Sequence, residues 1–165
     1  MKVVLFCGGF GMRLREFSEV IPKPMVPVGP LPILFNVMAY YSYFGHSDFI
    51  LCLGWKANMI KEYFFRHEDC IVIDGNSPPS GSRINKIRFK EAGWNISLVD
   101  TGLNACIGER LKAVQPYLEN EEIFLANYTD GLSNLHLPHL VDLLEEKKAI
   151  AAFVSIKPQQ TFHLV

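Results

Sequence analysis

Short apolar runs alternate with longer segments of helical pattern, and this succession limits the fold of the chain more than any other feature. The apolar runs fall at residues 3–6, 48–54, 70–74, 95–102, 121–131 and 149–156. They lack the regular polar–apolar alternation of a strand with one face in water, which indicates strands buried on both faces. Helical patterns fall between them, at residues 33–44, 58–65, 105–118 and 137–148. This order predicts an α/β fold in which a mostly parallel sheet carries helices on both faces.

Residues 75–93 interrupt this rhythm with a loop rich in turn residues, in which Ile84, Ile87 and Phe89 are expected to form an edge strand or a hairpin. At 165 residues the chain has the length of a single domain with a substantial core. It ends on "TFHLV", an apolar stretch without a cap or a polar tail. We therefore expect the sequence to be the front part of a longer fold.

The composition excludes several classes of protein. Hydrophobic residues make up 49% and charged residues 20%, as in a globular rather than a disordered chain. A net charge of -1 argues against a general nucleic-acid binder. No apolar stretch approaches the ~20 residues of a membrane-spanning helix. The four cysteines form no CxxC pair, which is typical of reduced core cysteines and predicts a cytoplasmic protein.

A glycine-rich segment, "CGGFGMR", follows the first predicted strand. Gly8, Gly9 and Gly11 allow backbone N–H groups to approach an anion closely, and Arg13 adds a guanidinium suited to phosphate. On these residues alone, a plain turn and a phosphate-binding loop are about equally supported. The spacing matches neither a Walker A loop nor the dinucleotide fingerprint, which needs a glycine where Leu14 stands.

Three further charged residues are candidates for the same site. Lys23 lies between two prolines, whose stiff backbone directs its ammonium group at little entropic cost, although a loop lysine is usually solvated. Asp130 follows a buried strand, where a carboxylate can bind magnesium, although Asp-Gly is also an ordinary turn. For Arg110, near the start of a helix, a surface role is the default expectation.

Taken in order, "GGFGMRL", "PKPMVPVG" and "YTDG" resemble the signature of the sugar-1-phosphate nucleotidyltransferases. That signature is Gly-Gly-x-Gly-Thr-Arg-Leu after a strand, then Lys-Pro-Met, and later a strand that ends in aspartate. Three further segments, "PILFNVMAYYSYFGHSDFILCLGWKANMIKEYF", "WNISLVDTG" and "GERLKAVQPYL", resemble the glucose-1-phosphate cytidylyltransferase branch. The resemblance extends from residue 1 to about residue 156 and implies a Rossmann-like nucleotidyltransferase fold, incomplete at the C-terminus.

The resemblance also implies an activity and the residues that perform it. A nucleoside monophosphate would pass from a nucleoside triphosphate, with CTP favoured, to a sugar 1-phosphate, with glucose 1-phosphate favoured, and pyrophosphate would leave. Gly8, Gly9 and Gly11 would wrap the nucleotide phosphates. Arg13 would bind the β and γ phosphates, and Lys23 would stabilise charge on the α-phosphate. The expected partners are these two substrates and further copies of the chain in a homo-oligomer, with neither nucleic acid nor membrane.

The cofactor implied by the resemblance is Mg²⁺, with Asp130 as its ligand, and Gly108 and Arg110 would lie near the nucleotide. The sequence departs from the family pattern at Met12, where the signature has threonine, and at Thr129, where the branch has glycine. These departures favour an alternative, a catalytically inactive nucleotide-binding or assembly module of the same fold. A nicotinamide-dependent Rossmann enzyme fits the α/β pattern but lacks the required glycine spacing.

Overall fold

The computed structural model describes residues 1–9, 20–73 and 84–155. The chain divides into two compact units, Met1–Leu132 and Ser133–Val165. The prediction of one domain over residues 1–165 stays a prediction. Among the described residues, no helix is long and apolar enough to cross a membrane.

A sheet of six strands forms the centre of the first unit. Its strands are β1 (Val3–Phe6), β4 (Asp48–Leu53), β5 (Cys70–Val72), β6 (Ile84–Phe89), β7 (Trp94–Asp100) and β8 (Leu125–Tyr128). They are ordered β5-β6-β7-β4-β1-β8. The four strands from β7 to β8 run parallel, and β6 is antiparallel to both of its neighbours. The mostly parallel sheet is therefore confirmed, as is the hairpin, but β5 rather than β6 forms the edge.

The helices lie close to their predicted positions. They are α1 (Ile33–Tyr43), α2 (Ala57–Arg66), α3 (Ile107–Val114) and, in the second unit, α4 (Leu137–Glu146). A small hairpin of β2 (Pro27–Val28) and β3 (Leu31–Pro32) precedes α1. Helix α1 ends before Gly45, which adopts the left-handed φ of 85° that glycine tolerates best. Helix α3 is shorter than predicted and continues as a 3-10 turn at Gln115–Tyr117, because Pro116 has no N–H to donate.

Both faces of the sheet are covered. On one face, Val4 and Ile50 pack in a buried cluster with Val114 at the end of α3. On the other face, the ring of Phe35 from α1 lies 5.6 Å from the ring of Trp94 in β7. Successive residues of a strand point to opposite faces, so strands covered on both sides are apolar throughout. This confirms the explanation given for their continuous apolar runs.

The strand predicted at residues 149–156 is wrong over residues 149–155, which form no regular element. Ile150 and Phe153 are largely exposed. A strand needs a neighbour to satisfy its backbone N–H and C=O groups. The described residues provide no neighbouring strand for this segment. Its apolar pattern was therefore not sufficient to make it a strand.

Candidate active site

The loops that follow β1, β7 and β8 meet at one edge of the sheet, because parallel strands end on the same side. A cavity of about 750 Å³, here called the strand-end cavity, opens between them and the segment that carries Lys23. It is lined by residues 6–9, 23–24, 103–107, 110 and 128–130.

The structure thus brings together five of the predicted site residues: Gly8, Gly9, Lys23, Arg110 and Asp130. Gly11 and Arg13, as well as Met12, lie outside the described residues. Gly108 does not line the strand-end cavity but a separate one of about 490 Å³. The predicted roles of these residues stay predictions.

Lys23 and Asp130 form an ion pair across this cavity. The ammonium nitrogen of Lys23 donates to Oδ2 of Asp130 at 3.2 Å, although 107 residues separate the two in sequence. Lys23 begins a 3-10 turn between two prolines, which limits the freedom of its backbone. The side chain of Lys23 is 23% exposed and that of Asp130 is 47% exposed, so the pair is accessible to a ligand.

Arg110 lies at the base of the cavity and is buried, with 4% of its surface exposed. The default expectation of a surface arginine is therefore wrong. Its Nη1 donates to the carbonyl oxygens of Leu53 and Gly102 and to the hydroxyl of Thr101, at 2.7 to 3.0 Å. Its Nη2 donates to the carbonyl oxygens of Gly8, at 3.0 Å, and Leu103, at 3.3 Å. Within the described ranges, no carboxylate forms an ion pair with it.

The two described glycines of the loop have different surroundings. A Cβ on Gly8 would overlap the guanidinium of Arg110, whereas a Cβ on Gly9 would meet no atom of residues 1–9, 20–73 or 84–155 within 4 Å. The carbonyl oxygen of Gly8 also accepts a hydrogen bond from the backbone N–H of Trp55 at 3.3 Å. Gly8 therefore packs against Arg110, and Gly9 lines the cavity without a close neighbour from the part of the chain that the structure describes.

Three residues around the cavity were not singled out from the sequence. The buried hydroxyl of Thr101 donates to the carbonyl oxygen of Leu53 at 2.8 Å and accepts from Arg110. A Cβ on Gly54 would lie 2.7 Å from Nη1 of Arg110. Tyr128 is exposed beside Asp130. The only signal in the sequence for the first two is their position directly after a strand.

Thr129, which departs from the family pattern, is buried. Its hydroxyl donates to the carbonyl oxygen of Phe6 at 3.4 Å and links the end of β8 to the end of β1. The threonine is thus accommodated next to Asp130 without an unsatisfied hydroxyl group.

Two of the four cysteines are buried at the ends of strands β1 and β4: Cys7, which lines the cavity, and Cys52, which does not. Burial raises the pKa of the Cys7 thiol well above its usual value, an effect strengthened by Cys52 and opposed by the charge of Arg110. Burial also raises the pKa of Cys52 to about 12, again opposed by Arg110. Both thiols are protonated at neutral pH and are poor nucleophiles. Cys106, at the start of α3, is exposed and lines the cavity.

The described residues supply one carboxylate for a metal ion at this site, that of Asp130. They contain no group of three or more histidine, cysteine or acidic side chains that would hold a metal ion. Mg²⁺ is commonly bound by one or two carboxylates together with phosphate oxygens of a substrate. Asp130 is thus the acidic side chain at the cavity, within the described ranges, that could bind a metal ion together with oxygens of a ligand.

Two curated proteins show which known enzymes the chain resembles. It is 41% identical over 145 residues to glucose-1-phosphate cytidylyltransferase of Salmonella typhimurium, covering 86% of this chain and 55% of the relative. The chain is similar to the glucose-1-phosphate cytidylyltransferases. A probable member from Bacillus subtilis is 34% identical over 165 residues, covering 98% of this chain and 63% of that protein. The resemblance inferred from the sequence motifs is thereby confirmed.

Solved structures of sugar-phosphate nucleotidyltransferases share the fold. HddC from Yersinia pseudotuberculosis, complexed with GMP-PN, matches with a TM-score of 0.60 and 24% identity, covering 87% of this chain and 53% of that one. UDP-glucose pyrophosphorylase complexed with UDP-glucose matches with a TM-score of 0.62 and 16% identity, covering 89% and 54%. No family model matches. The chain spans about half the length of the relatives and structures it matches.

Proposed function

We propose that the protein transfers a nucleoside monophosphate from a nucleoside triphosphate to a sugar 1-phosphate and releases pyrophosphate. One observation carries this proposal. Lys23 and Asp130, 107 residues apart, meet at 3.2 Å beside a cavity that is also lined by Gly8 and Gly9. A cation, a carboxylate and glycine backbone at the ends of parallel strands are a suitable combination for binding a nucleotide with its metal ion.

The reaction would be an in-line displacement at the α-phosphorus. A phosphate oxygen of the sugar 1-phosphate forms the new P–O bond, and the bond to the β-phosphate breaks with its electron pair leaving on pyrophosphate. This chemistry needs no covalent nucleophile of the protein. The protein brings two polyanions together and neutralises charge as it develops. Lys23 would stabilise the α-phosphate, and Arg13 would bind the phosphates that leave.

Mg²⁺ would neutralise phosphate charge and orient the phosphate chain when it is bound. Asp130 would hold it through a carboxylate oxygen. Oδ2 of Asp130 is paired with the ammonium group of Lys23, so Mg²⁺ and this ammonium group would compete for the same carboxylate. A Lys23 ammonium released from this pair lies next to the position where the phosphates would bind.

CTP and glucose 1-phosphate are the proposed substrates. Their support is the similarity to two proteins named as glucose-1-phosphate cytidylyltransferases. Other relatives are named as guanylyltransferases, which makes GTP the nucleotide to compare with CTP. The four cysteines are free, which supports the cytoplasm as the proposed compartment.

The test is a matrix of reactions. The purified protein is incubated with magnesium, each of the four nucleoside triphosphates and a panel of sugar 1-phosphates, and pyrophosphate release is measured. Release with CTP and glucose 1-phosphate, and with no other pair, is the expected result. The Asp130→Asn protein is the control, because it keeps a side chain of the same size and loses the negative charge.

Two other outcomes have defined meanings. Release with another base or sugar would overturn the substrate assignment and keep the reaction class. Nucleotide binding without release for any pair would overturn the proposed activity of this chain. It would favour the inactive nucleotide-binding module, which is also consistent with Asp130 being the one acidic side chain among the described residues that line the cavity.

A further inference from the structure

The guanidinium of Arg110 joins the ends of the three central parallel strands. It binds the carbonyl oxygen of Gly8 after β1, that of Leu53 at the end of β4, and three acceptors at residues 101–103 after β7. Arginine has a planar fork of donors in fixed directions, which suits it to hold several acceptors at once. One side chain therefore sets the relative positions of three loops, two of which line the strand-end cavity.

The contact to Gly8 has a consequence for Gly9. The peptide bond between them is trans and planar, so the carbonyl of Gly8 and the N–H of Gly9 point in opposite directions. Arg110 and Trp55 hold the carbonyl oxygen from the protein side. The N–H of Gly9 is consequently directed away from Arg110, on a residue that lines the cavity and has no atom of the described residues within 4 Å of its Cβ position.

The packing around the guanidinium explains why glycine stands at positions 8 and 54. A methyl group on Gly8 would overlap it, and one on Gly54 would approach Nη1 to 2.7 Å. Gly54 does not line the strand-end cavity. The same methyl group on Gly54 would approach the carbonyl oxygen of Gly8 to 2.9 Å. Space for the contact between Arg110 and Gly8, and not access to a ligand, is thus the reason for glycine at position 54.

The charge of Arg110 is also unusual. Buried ionised groups are normally paired, because removal from water is costly. Among the residues that the structure describes, Arg110 has hydrogen-bond acceptors but no carboxylate partner. Its positive charge therefore remains beneath the loop that would receive an anion.

We infer that Arg110 is a positioning residue for phosphate binding, which fixes the Gly8–Gly9 peptide so that the Gly9 N–H is available to an anion. This inference rests on the proposed function, because it assigns how that site is organised. It differs from a direct contact with the nucleotide: the guanidinium acts through the loop that it holds.

The test follows the Gly9 amide by ¹H–¹⁵N NMR during titration with inorganic pyrophosphate. In the unmodified chain, pyrophosphate is expected to shift the Gly9 resonance. Arg110→Lys keeps the positive charge but loses the planar set of guanidinium donors. It is expected to weaken pyrophosphate binding about tenfold or more, because the loss of a hydrogen bond to a charged group has an effect of this size. The Gly9 resonance should then stay near its free position. Arg88→Met, at an exposed arginine on β6, is the control and should leave both readouts unchanged.

The outcomes separate this inference from the proposed function. If pyrophosphate does not shift the Gly9 resonance of the unmodified chain, the assignment of a phosphate site to this loop is overturned. If the unmodified chain responds and Arg110→Lys responds equally, the positioning role is overturned and the proposed function stands.

Gly54→Ala provides a second test if Arg110→Lys does not fold. Its methyl group crowds the Arg110 guanidinium and the Gly8 carbonyl oxygen from outside the cavity and so disturbs the contact between them. It is therefore expected to weaken pyrophosphate binding and to reduce the Gly9 shift. Unchanged affinity and an unchanged Gly9 shift in a folded Gly54→Ala protein would also overturn the inference.

Discussion

Gly8 and Gly9 are adjacent in the sequence, yet the structure shows a different reason for glycine at each of the two positions. Gly8 leaves room for the guanidinium of Arg110, and Gly9 lines the cavity with no described atom close to its Cβ position. A similar division separates the charged residues. Arg110 is buried and bound by carbonyl oxygens, whereas Lys23 and Asp130 are accessible and paired with each other. At the residue scale, the site therefore consists of a buried, hydrogen-bonded arginine at its base and an accessible ion pair above it.

The exposed ion pair leads to a prediction that separates function from stability. Lys23→Met is expected to lower the unfolding free energy by about 1 kcal/mol or less, since partly exposed ion pairs contribute little. If the proposed activity is found, the same change should reduce turnover by about 10²–10³-fold, as with the loss of a charge-stabilising donor. Urea denaturation and pyrophosphate release measure the two effects. A variant that loses stability and keeps its turnover would contradict the role of Lys23.

The position of Cys106 gives a second prediction for single residues. Cys106 is exposed at the cavity, whereas Cys7 and Cys52 are buried thiols whose pKa values are raised by burial. Iodoacetamide at neutral pH is expected to modify Cys106 fastest, and CTP with magnesium should slow this modification. Peptide mass spectrometry measures it, with Cys70, which does not line the cavity, as the internal control. Equal rates with and without bound CTP would contradict a nucleotide at this position.

At the scale of elements, helix α3 carries Arg110 and must be held firmly for the residue to act. It begins with a capping box, in which the carboxylate of Glu109 accepts a hydrogen bond from the backbone N–H of Cys106 at 2.7 Å. At the other end, Val114 and Leu118 pack into the cluster with Val4 and Ile50. The direction of α3 is thus set by a cap near the cavity and by core contacts farther along.

The cap predicts a pH-dependent effect. The hydrogen bonds from Cys106 lower the pKa of Glu109 below its ordinary value of 4.5. A carboxyl whose pKa is lower in the folded state stabilises the fold above its unfolded pKa, and this contribution is lost as the pH falls through the folded pKa. Glu109→Ala is therefore expected to lower the Tm at pH 7 by more than at pH 3. Thermal scans across this range test it, with exposed Glu91→Ala as the control. A difference in Tm that is the same at both pH values would contradict the assigned role.

At the scale of the whole molecule, the order of strands creates the site. The order β7-β4-β1-β8 places loops from residues 7–9, 54, 101–103 and 129–130 side by side. Helices on both faces shield this sheet from water. Phe35 of α1 lies at the centre of the layer of side chains on one of these faces. Its ring contacts those of Tyr63, Phe64, Phe89 and Trp94.

Phe35 therefore gives a prediction for the fold as a whole. Phe35→Ala is expected to cost about 3–5 kcal/mol of unfolding free energy, because it leaves a cavity between two helices and the sheet. Tyr43→Ala on the same helix removes an aromatic side chain that is 84% exposed, and it is expected to cost less than about 1 kcal/mol. Urea denaturation followed by tryptophan fluorescence compares them. Similar costs for the two variants would contradict the assignment of this layer as core.

The success of sequence reasoning depended on the range of the interactions involved. Local pattern was enough for β1 and α1, because apolar runs, prolines and Gly45 act within a few residues. It was wrong for residues 149–155, whose apolar pattern is that of a strand but which have no neighbour to pair with among the described residues. Lys23 and Asp130 were identified as candidates because residue type and position after or near a strand carry a chemical signal by themselves.

The sequence by itself determined the succession of strands and helices along the chain, the burial of the central strands and the position of the candidate phosphate-binding loop. Only the tertiary structure decided that Arg110 is buried and that Gly8 packs against it. These two residues are 102 positions apart, and their contact exists only because the strands are arranged in one particular order. Local propensities act over a few residues, whereas the contacts that organise this site depend on the complete sheet.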